Sequence, residues 1–139
     1  MKYAYIDGDD IGLKIEKSLI TNDEPGLRSV NQAVTEAIQQ LTKGLSALGC
    51  EVIFSGADGI ILKAEELKVE SLQSTILAAQ SAFRFSVGIG DSLQEAFVAL
   101  RYAKSNGKNG VAVFKSVFTW FKTPIQIKEA EQGDGEERR

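Results

Sequence analysis

The chain has 139 residues, 43% of them hydrophobic, with a formal net charge of -3, one cysteine and no histidine. That length and apolar content suit one domain with a single core, and the slightly acidic balance offers no broad surface for long nucleic acid. Cys50 alone cannot close an intrachain disulfide, which fits a reducing cytoplasm. With no long apolar run and no cleavable signal, the chain is expected neither to span a membrane nor to be exported. The lack of histidine excludes Ser-His and Cys-His nucleophile pairs and imidazole metal sites, leaving carboxylates with a hard cation such as magnesium as the natural tools.

In chain order, residues 2–7 read as a strand leading into "DGDDIG", where Asp7, Asp9 and Asp10 crowd three carboxylates into four positions. A polar passage, "LITNDEPGLRS", reads as a loop punctuated by Pro25 and Gly26. From Ser29 to Leu48 apolar residues recur at helical spacing, and Gly49 closes the helix. "CEVIF" and "GIILK" are two short strands around the glycine-bearing hairpin "SGADG". Residues 65–80 carry a second helical pattern, and "RFSVGIG" reads as a strand. A third helix opens with Ser92 and Glu95 in capping-box spacing and ends at "SNGKNG", where Gly107 suits a left-handed cap. "VAVF" is a further short strand. The segment with Phe118, Trp120 and Phe121 has no clear local signal; its aromatics read as core or dimer contacts rather than a base-stacking platform. The charged tail, residues 130–139, reads as disordered. There is no internal repeat and no second domain, so one domain is expected over residues 1–129.

The order β-α-β-β-α-β, followed by a helix and a strand, predicts an α+β fold: a ferredoxin-like split βαβ sheet with helices on one face. In that topology the end of the first strand and the hairpin between the second and third share one edge. Neighbouring strands lie about 4.8 Å apart, so Asp7 and Asp58 come within roughly one side chain's reach. Two divalent ions in phosphoryl-transfer sites sit about 3.5–4 Å apart, a spacing such a pair can bridge. The third helix must run back across the sheet, returning Lys104 and Lys108 to the carboxylate edge. With the backbone N–H groups of Asp10, Ile11 and Gly12, these groups make a triphosphate site.

Taken singly, each feature has a plainer reading. "DGDD" suits a solvated turn, Lys104 a surface lysine at a helix C-terminus, Gly56 and Gly59 a tight turn, and Cys50 a buried small residue. Together, "YIDGDDIG", "FSGADGIIL" and "ALRYAKSNGKNGV" resemble the three signature segments of palm-type polymerase–cyclases. That superfamily includes GGDEF diguanylate cyclases and the polymerase subunit of type III CRISPR complexes. The short palm with "DGDDIG" most resembles the minimal CRISPR polymerase family, mCpol, over roughly residues 2–115.

The resemblance implies two Mg2+ or Mn2+ ions at Asp7 and Asp58, with Gly8 beside them in the metal site. It implies a triphosphate held by Gly8, Asp9, Asp10, Ile11 and Gly12, by the hairpin residues Gly56 and Ala57, and by Lys104 with Lys108 nearby. The implied reaction is nucleotidyl transfer between two nucleoside triphosphates, ATP favoured, giving a cyclic di- or oligonucleotide. A homodimer, a downstream effector that reads the product and a CRISPR-like anti-phage role come with the same resemblance. Gly59 departs from the family's hairpin, which carries a second carboxylate there; Asp9 is either a substitute ligand or a turn residue. Two other readings stay open at this point: an inactive palm that binds nucleotide as a sensor, and a haloacid-dehalogenase-type phosphatase, for which Ile11 breaks the DxDx(T/V) pattern and the chain is short. An EF-hand loop fails on glycine and glutamate spacing.

Overall fold

The computed structural model describes residues 1–56, 58–79, 83–115, 119–122 and 127–129. Ala57, Phe118 and the tail 130–139 lie outside the described residues.

Strand β1 (Lys2–Gly8) sets the architecture through its alternation. Ala4 and Ile6 are fully buried on one face, while Tyr3, Tyr5 and Asp7 point to the other. Antiparallel partners flank it on both sides, β3 (Gly59–Ala64) and β4 (Phe85–Gly90). Strand β2 (Glu51–Ser55) pairs antiparallel with β3 across a register shift between Val52 and Phe54. β5 (Gly110–Val113) runs parallel to β4, and β6 (Thr119–Lys122) and β7 (Ile127–Glu129) extend the sheet antiparallel. The order is β2-β3-β1-β4-β5-β6-β7. Its first four strands are the expected split βαβ arrangement; β6 and β7 structure the aromatic segment that carried no local signal.

Two helices cover one face. α2 (Glu24–Ala47) buries Val34, Ala37, Ile38, Leu41 and Leu45, and α3 (Val69–Ala79) buries Leu72 and Ile76. They join Ile6, Ile60, Leu62, Phe85, Val87 and Ile89 in the main core. The passage expected as a loop is largely helical. α1 (Ile11–Ile20) precedes a short break, and α2 starts five residues before Ser29. Pro25 stands in the first turn of α2, where a missing N–H removes no helical bond, and Asp23 caps that turn by accepting from the Gly26 N–H at 2.9 Å. α1 lacks a core-facing stripe: only Ile11 and Ser18 are buried, and Leu13, Leu19 and Ile20 are exposed. The helical pattern expected from residue 65 begins at Val69.

The added helix, α4 (Leu93–Ser105), packs on the opposite face of the sheet. Ser92 caps it by accepting from the Glu95 N–H at 3.1 Å, while the Glu95 carboxylate accepts from the Asp91 N–H at 2.8 Å. Its approach depends on missing side chains in β4. A Cβ on Gly88 would fall well inside contact distance of the Ala96 carbonyl and the Leu100 nitrogen, and one on Gly90 would strike Glu95 and Ala96. Ala99 and Ala103 continue the close contact onto Ala112 of β5.

Gly88→Ala therefore forces α4 off the sheet. A loss of about 2–3 kcal/mol, as for other overpacked positions, is expected in urea unfolding, and a change under about 0.5 kcal/mol would contradict the close-approach account.

Candidate active site

The end of β1 brings the carboxylates together. Asp7 lies opposite Gly59 on β3 and Ser86 on β4, and Asp58 is the residue just before Gly59. The Gly8 N–H donates to the Asp58 carbonyl at 2.9 Å, fastening the hairpin to the acidic turn, and the Gly56 N–H closes the hairpin on the Gly59 carbonyl at 2.9 Å. A Cβ on Gly59 would stand 3.0 Å from Asp7 Oδ1, so the glycine keeps space open beside that carboxylate.

After Gly8 the chain turns through Asp9 and Asp10. Asp10 takes a left-handed conformation, φ 61°, and precedes α1 without a side-chain cap. The first-turn N–H groups of Ile11, Gly12 and Leu13 have no intrahelical carbonyl to reach, which makes this helix start a potential anion cradle. A Cβ on Gly12 would meet no protein atom within 4 Å, so internal packing does not require glycine there.

Both predicted lysines reach this edge. Lys104, in the last turn of α4, donates to the Gly8 carbonyl and to Asp9 Oδ1, each at 2.9 Å, and lies 3.1 Å from Asp7 Oδ2. Lys108 pairs with Asp10. The Asp9 carboxylate, expected as a substitute ligand or a turn residue, is buried: Oδ1 also accepts from Ser86 Oγ at 2.7 Å, and Oδ2 accepts from the Asn109 N–H at 2.9 Å. Ser86 and Asn109 were not among the predicted site residues. The available signals were a serine in the otherwise apolar and glycine strand "FSVGIG" and an asparagine beside glycine in "GKNG". Gly56 and Asp58 sit in the hairpin as expected, and Ala57 lies outside the described residues.

The electrostatics are those of a site in want of positive charge. Burial pushes the Asp7 carboxyl above its usual pKa; Lys104 pulls it down, but burial with the charges of Asp58 and Asp9 prevails. Burial also pulls the Lys104 ammonium down, yet the hydrogen bond and charge of Asp9, then those of Asp7, raise it overall. The lysine thus answers Asp9 more completely than Asp7. Tyr5, two residues back on the same face, is raised by burial and then by Asp7 and Asp58. Asp10 is lowered, first by its hydrogen bond from Lys108.

Among the described residues no group of three or more His, Cys, Asp or Glu side chains is set to hold a metal. The donors on offer are two carboxylates and the Gly8 carbonyl, a sparse oxygen set of the kind magnesium completes with phosphate oxygens and water. The partly buried, under-compensated Asp7 fits that cation.

A raised Asp7 pKa means that folding favours its protonated form. Ionised Asp7 therefore lowers stability at neutral pH, and the penalty is relieved as pH falls through the folded-state value. In metal-free buffer Asp7→Asn should melt above wild type at pH 7, with the gap closing below the ordinary carboxylate pKa; a lower melting temperature at pH 7 would contradict this balance.

The chain matches the minimal CRISPR polymerase domain, mCpol, over residues 3–114. No curated protein matches it. Among solved structures it is similar to the active GGEEF domain of a Vibrio cholerae diguanylate cyclase, at 15% identity and a TM-score of 0.61, covering 82% of each chain. It is also similar to the GGDEF domain of Caulobacter crescentus DgcB, solved with c-di-GMP, at 14% identity and a TM-score of 0.63, covering 81% of this chain and 76% of that one. The guanylyl cyclase Cya2 aligns at 8% identity and a TM-score of 0.54, over 98% of this chain and 94% of that one. At such identities the likeness is one of fold, the palm of nucleotidyl cyclases. Matched over most of its length, the chain belongs to the minimal CRISPR polymerase family.

Proposed function

We propose that this palm is a metal-dependent nucleotidyl cyclase that makes a cyclic di- or oligonucleotide signal from nucleoside triphosphates, with ATP as the preferred substrate. The observation that carries the reading is the meeting of Asp7, Asp58, Lys104 and the uncapped start of α1 at one sheet edge. A ribose hydroxyl of one nucleotide attacks the α-phosphorus of another, with pyrophosphate and a proton released, and a second transfer closes the ring. The N–H groups of Ile11, Gly12 and Leu13 hold the triphosphate by backbone and helix dipole, and Lys104 supplies a cation for it. Bound at Asp7 and Asp58, Mg2+ or Mn2+ supplies Lewis-acid activation of the hydroxyl and charge neutralisation of the leaving group.

One small palm offers room for little beyond one triphosphate and an acceptor, so two copies are expected to cooperate. Support for a homodimer is the exposed apolar surface of α1, Leu13, Leu19 and Ile20, on the helix whose N-terminus forms the cradle. Membership of the family supports a cytoplasmic anti-phage role, with a separate effector reading the product. No helix among the described residues is long and apolar enough to cross a membrane.

A second reading, a palm that binds nucleotide without turnover, is favoured by Gly59, which leaves the hairpin one carboxylate. The phosphatase reading loses ground with the topology, because β1 has antiparallel neighbours on both sides rather than a doubly wound parallel sheet.

Incubation with ATP and Mg2+, resolved by mass spectrometry, should yield pyrophosphate and a cyclic adenine nucleotide. Asp7→Ala and Asp58→Ala should each remove product by at least about a thousandfold while the protein stays folded. Binding of ATP without product would establish the sensor reading. Gly12→Ala separates ligand from fold: it should stabilise α1 by up to about 1 kcal/mol yet weaken ATP binding by about tenfold. Unchanged affinity in calorimetry would remove α1 from the phosphate site.

A further inference from the structure

Three elements converge on a single carboxylate at the end of β1, one that neither of the two metal-site aspartates provides. Asp9 follows β1, Ser86 lies on β4, Lys104 ends α4 and Asn109 precedes β5. We propose that Asp9 is a positioning residue that sets both cationic groups of the site, Lys104 and Lys108, over the phosphate-binding turn. The proposal rests on the triphosphate reading above for what the two lysines meet, and on the hydrogen-bond geometry for how they are held.

Asp9 is suited to an anchor rather than to a ligand. It is buried, its backbone N–H donates to the Arg84 carbonyl at 2.8 Å, and both carboxylate oxygens accept hydrogen bonds from within the chain. Turning it outward would leave the hydroxyl proton of fully buried Ser86 without its acceptor and the Asn109 N–H with only its bond to Ser86 Oγ. Asp7 lies on the open side of the same turn and can change partners while Asp9 keeps the lysine in place. A long flexible ammonium chain gains a defined position only where a fixed, desolvated counter-charge holds it, and Asp9 Oδ1 at 2.9 Å from Lys104 Nζ is that counter-charge.

The hold on Lys108 is indirect. Lys108 and Asn109 are consecutive non-glycine residues in the left-handed region, at φ 61° and 50°, a conformation open to asparagine but costly for lysine unless its surroundings hold it. The Asn109 N–H is pinned by Asp9 Oδ2 at 2.9 Å and by Ser86 Oγ at 3.1 Å, and the Lys108 N–H by the Ala103 carbonyl at 3.1 Å. With that turn fixed, Lys108 is presented to Asp10 at the head of α1. One buried carboxylate thereby places a direct and an indirect cation on the same turn.

Acetylation of lysines, followed at peptide level by mass spectrometry with exposed Lys43 on α2 as reference, reads both ammonium groups without nucleotide. In Asp9→Asn, Lys104 should react about tenfold faster relative to Lys43, the factor that one charge-assisted hydrogen bond represents, and Lys108, which keeps Asp10, about threefold faster. Unchanged relative rates at either lysine in the folded variant overturn the proposal. If Asp9→Asn loses its cooperative thermal transition, Ser86→Ala decides on the same criterion at a smaller expected factor, about threefold, because it removes part of the hub and leaves the charge. Calorimetry with ATP and Mg2+ then separates positioning from general support. Asp9→Asn and Lys104→Met should each weaken binding about tenfold, and the double variant by clearly less than the product of the two factors, its excess over Lys104→Met being the share carried by Lys108. A double variant that loses the product of the two factors overturns the role assigned to Asp9. Should wild type bind no ATP, acetylation still decides the positioning role and only the triphosphate reading falls.

Discussion

A helix backbone can lie directly on a β-sheet only where the strand beneath has no side chains to hold it away. Gly88 and Gly90 provide that gap in β4, and Ala96, Ala99 and Ala103 match it from α4. The site depends on this contact. Lys104 follows Ala103 at the end of the helix, and its ammonium meets the Gly8 carbonyl, Asp7 and Asp9 only because the helix axis is close to the sheet. A larger residue in β4 would raise the far end of α4 and carry the cation away from the acidic turn. Packing of small residues on one face thus sets electrostatics at the edge.

That edge resolves the crowding of carboxylates after β1 by giving each acid its own surroundings. Asp9 points inward to a lysine, a serine and a backbone N–H; Asp10 points outward to Lys108; Asp7 stands between them, partly buried, with Asp58 beside it. Two of the three charges are answered within the chain. The third is answered incompletely, and its raised pKa is the trace of that imbalance. A site built to accept an external cation and a polyanion needs such a residue, and the stability it forgoes is of the kind that functional sites commonly give up.

Much of this is readable from sequence because it follows from topology. Alternation in "KYAYIDG", helical spacing from Ser29 to Leu48 and the Ser92 cap lead to a split βαβ sheet, and that sheet brings Asp7 to Asp58 and returns Lys104 and Lys108 to the same edge. Local pattern fails in α1, where only Ile11 and Ser18 are buried and Leu13, Leu19 and Ile20 are exposed, so no periodic stripe marks it. It fails again at Pro25, which punctuates a loop in most contexts and here opens a helix. The role of Asp9 is illegible for a different reason. Its partners are 77, 95 and 100 residues away, and whether such a carboxylate faces inward depends on Ser86 and Asn109 arriving opposite it. β6 and β7 likewise take their state from pairing with β5 and each other, since their segment has no alternation of its own.

The central claim is that Asp7 and Asp58 form one metal-binding pair beside a triphosphate cradle at the start of α1. A crystal structure with Mn2+ and a non-hydrolysable ATP analogue tests it most directly, because manganese is located by its anomalous signal. The account predicts manganese bonded to both carboxylates, with the analogue's phosphates against the N–H groups of Ile11, Gly12 and Leu13. Manganese elsewhere, or an analogue bound away from α1 with Asp7 and Asp58 unligated, would contradict it.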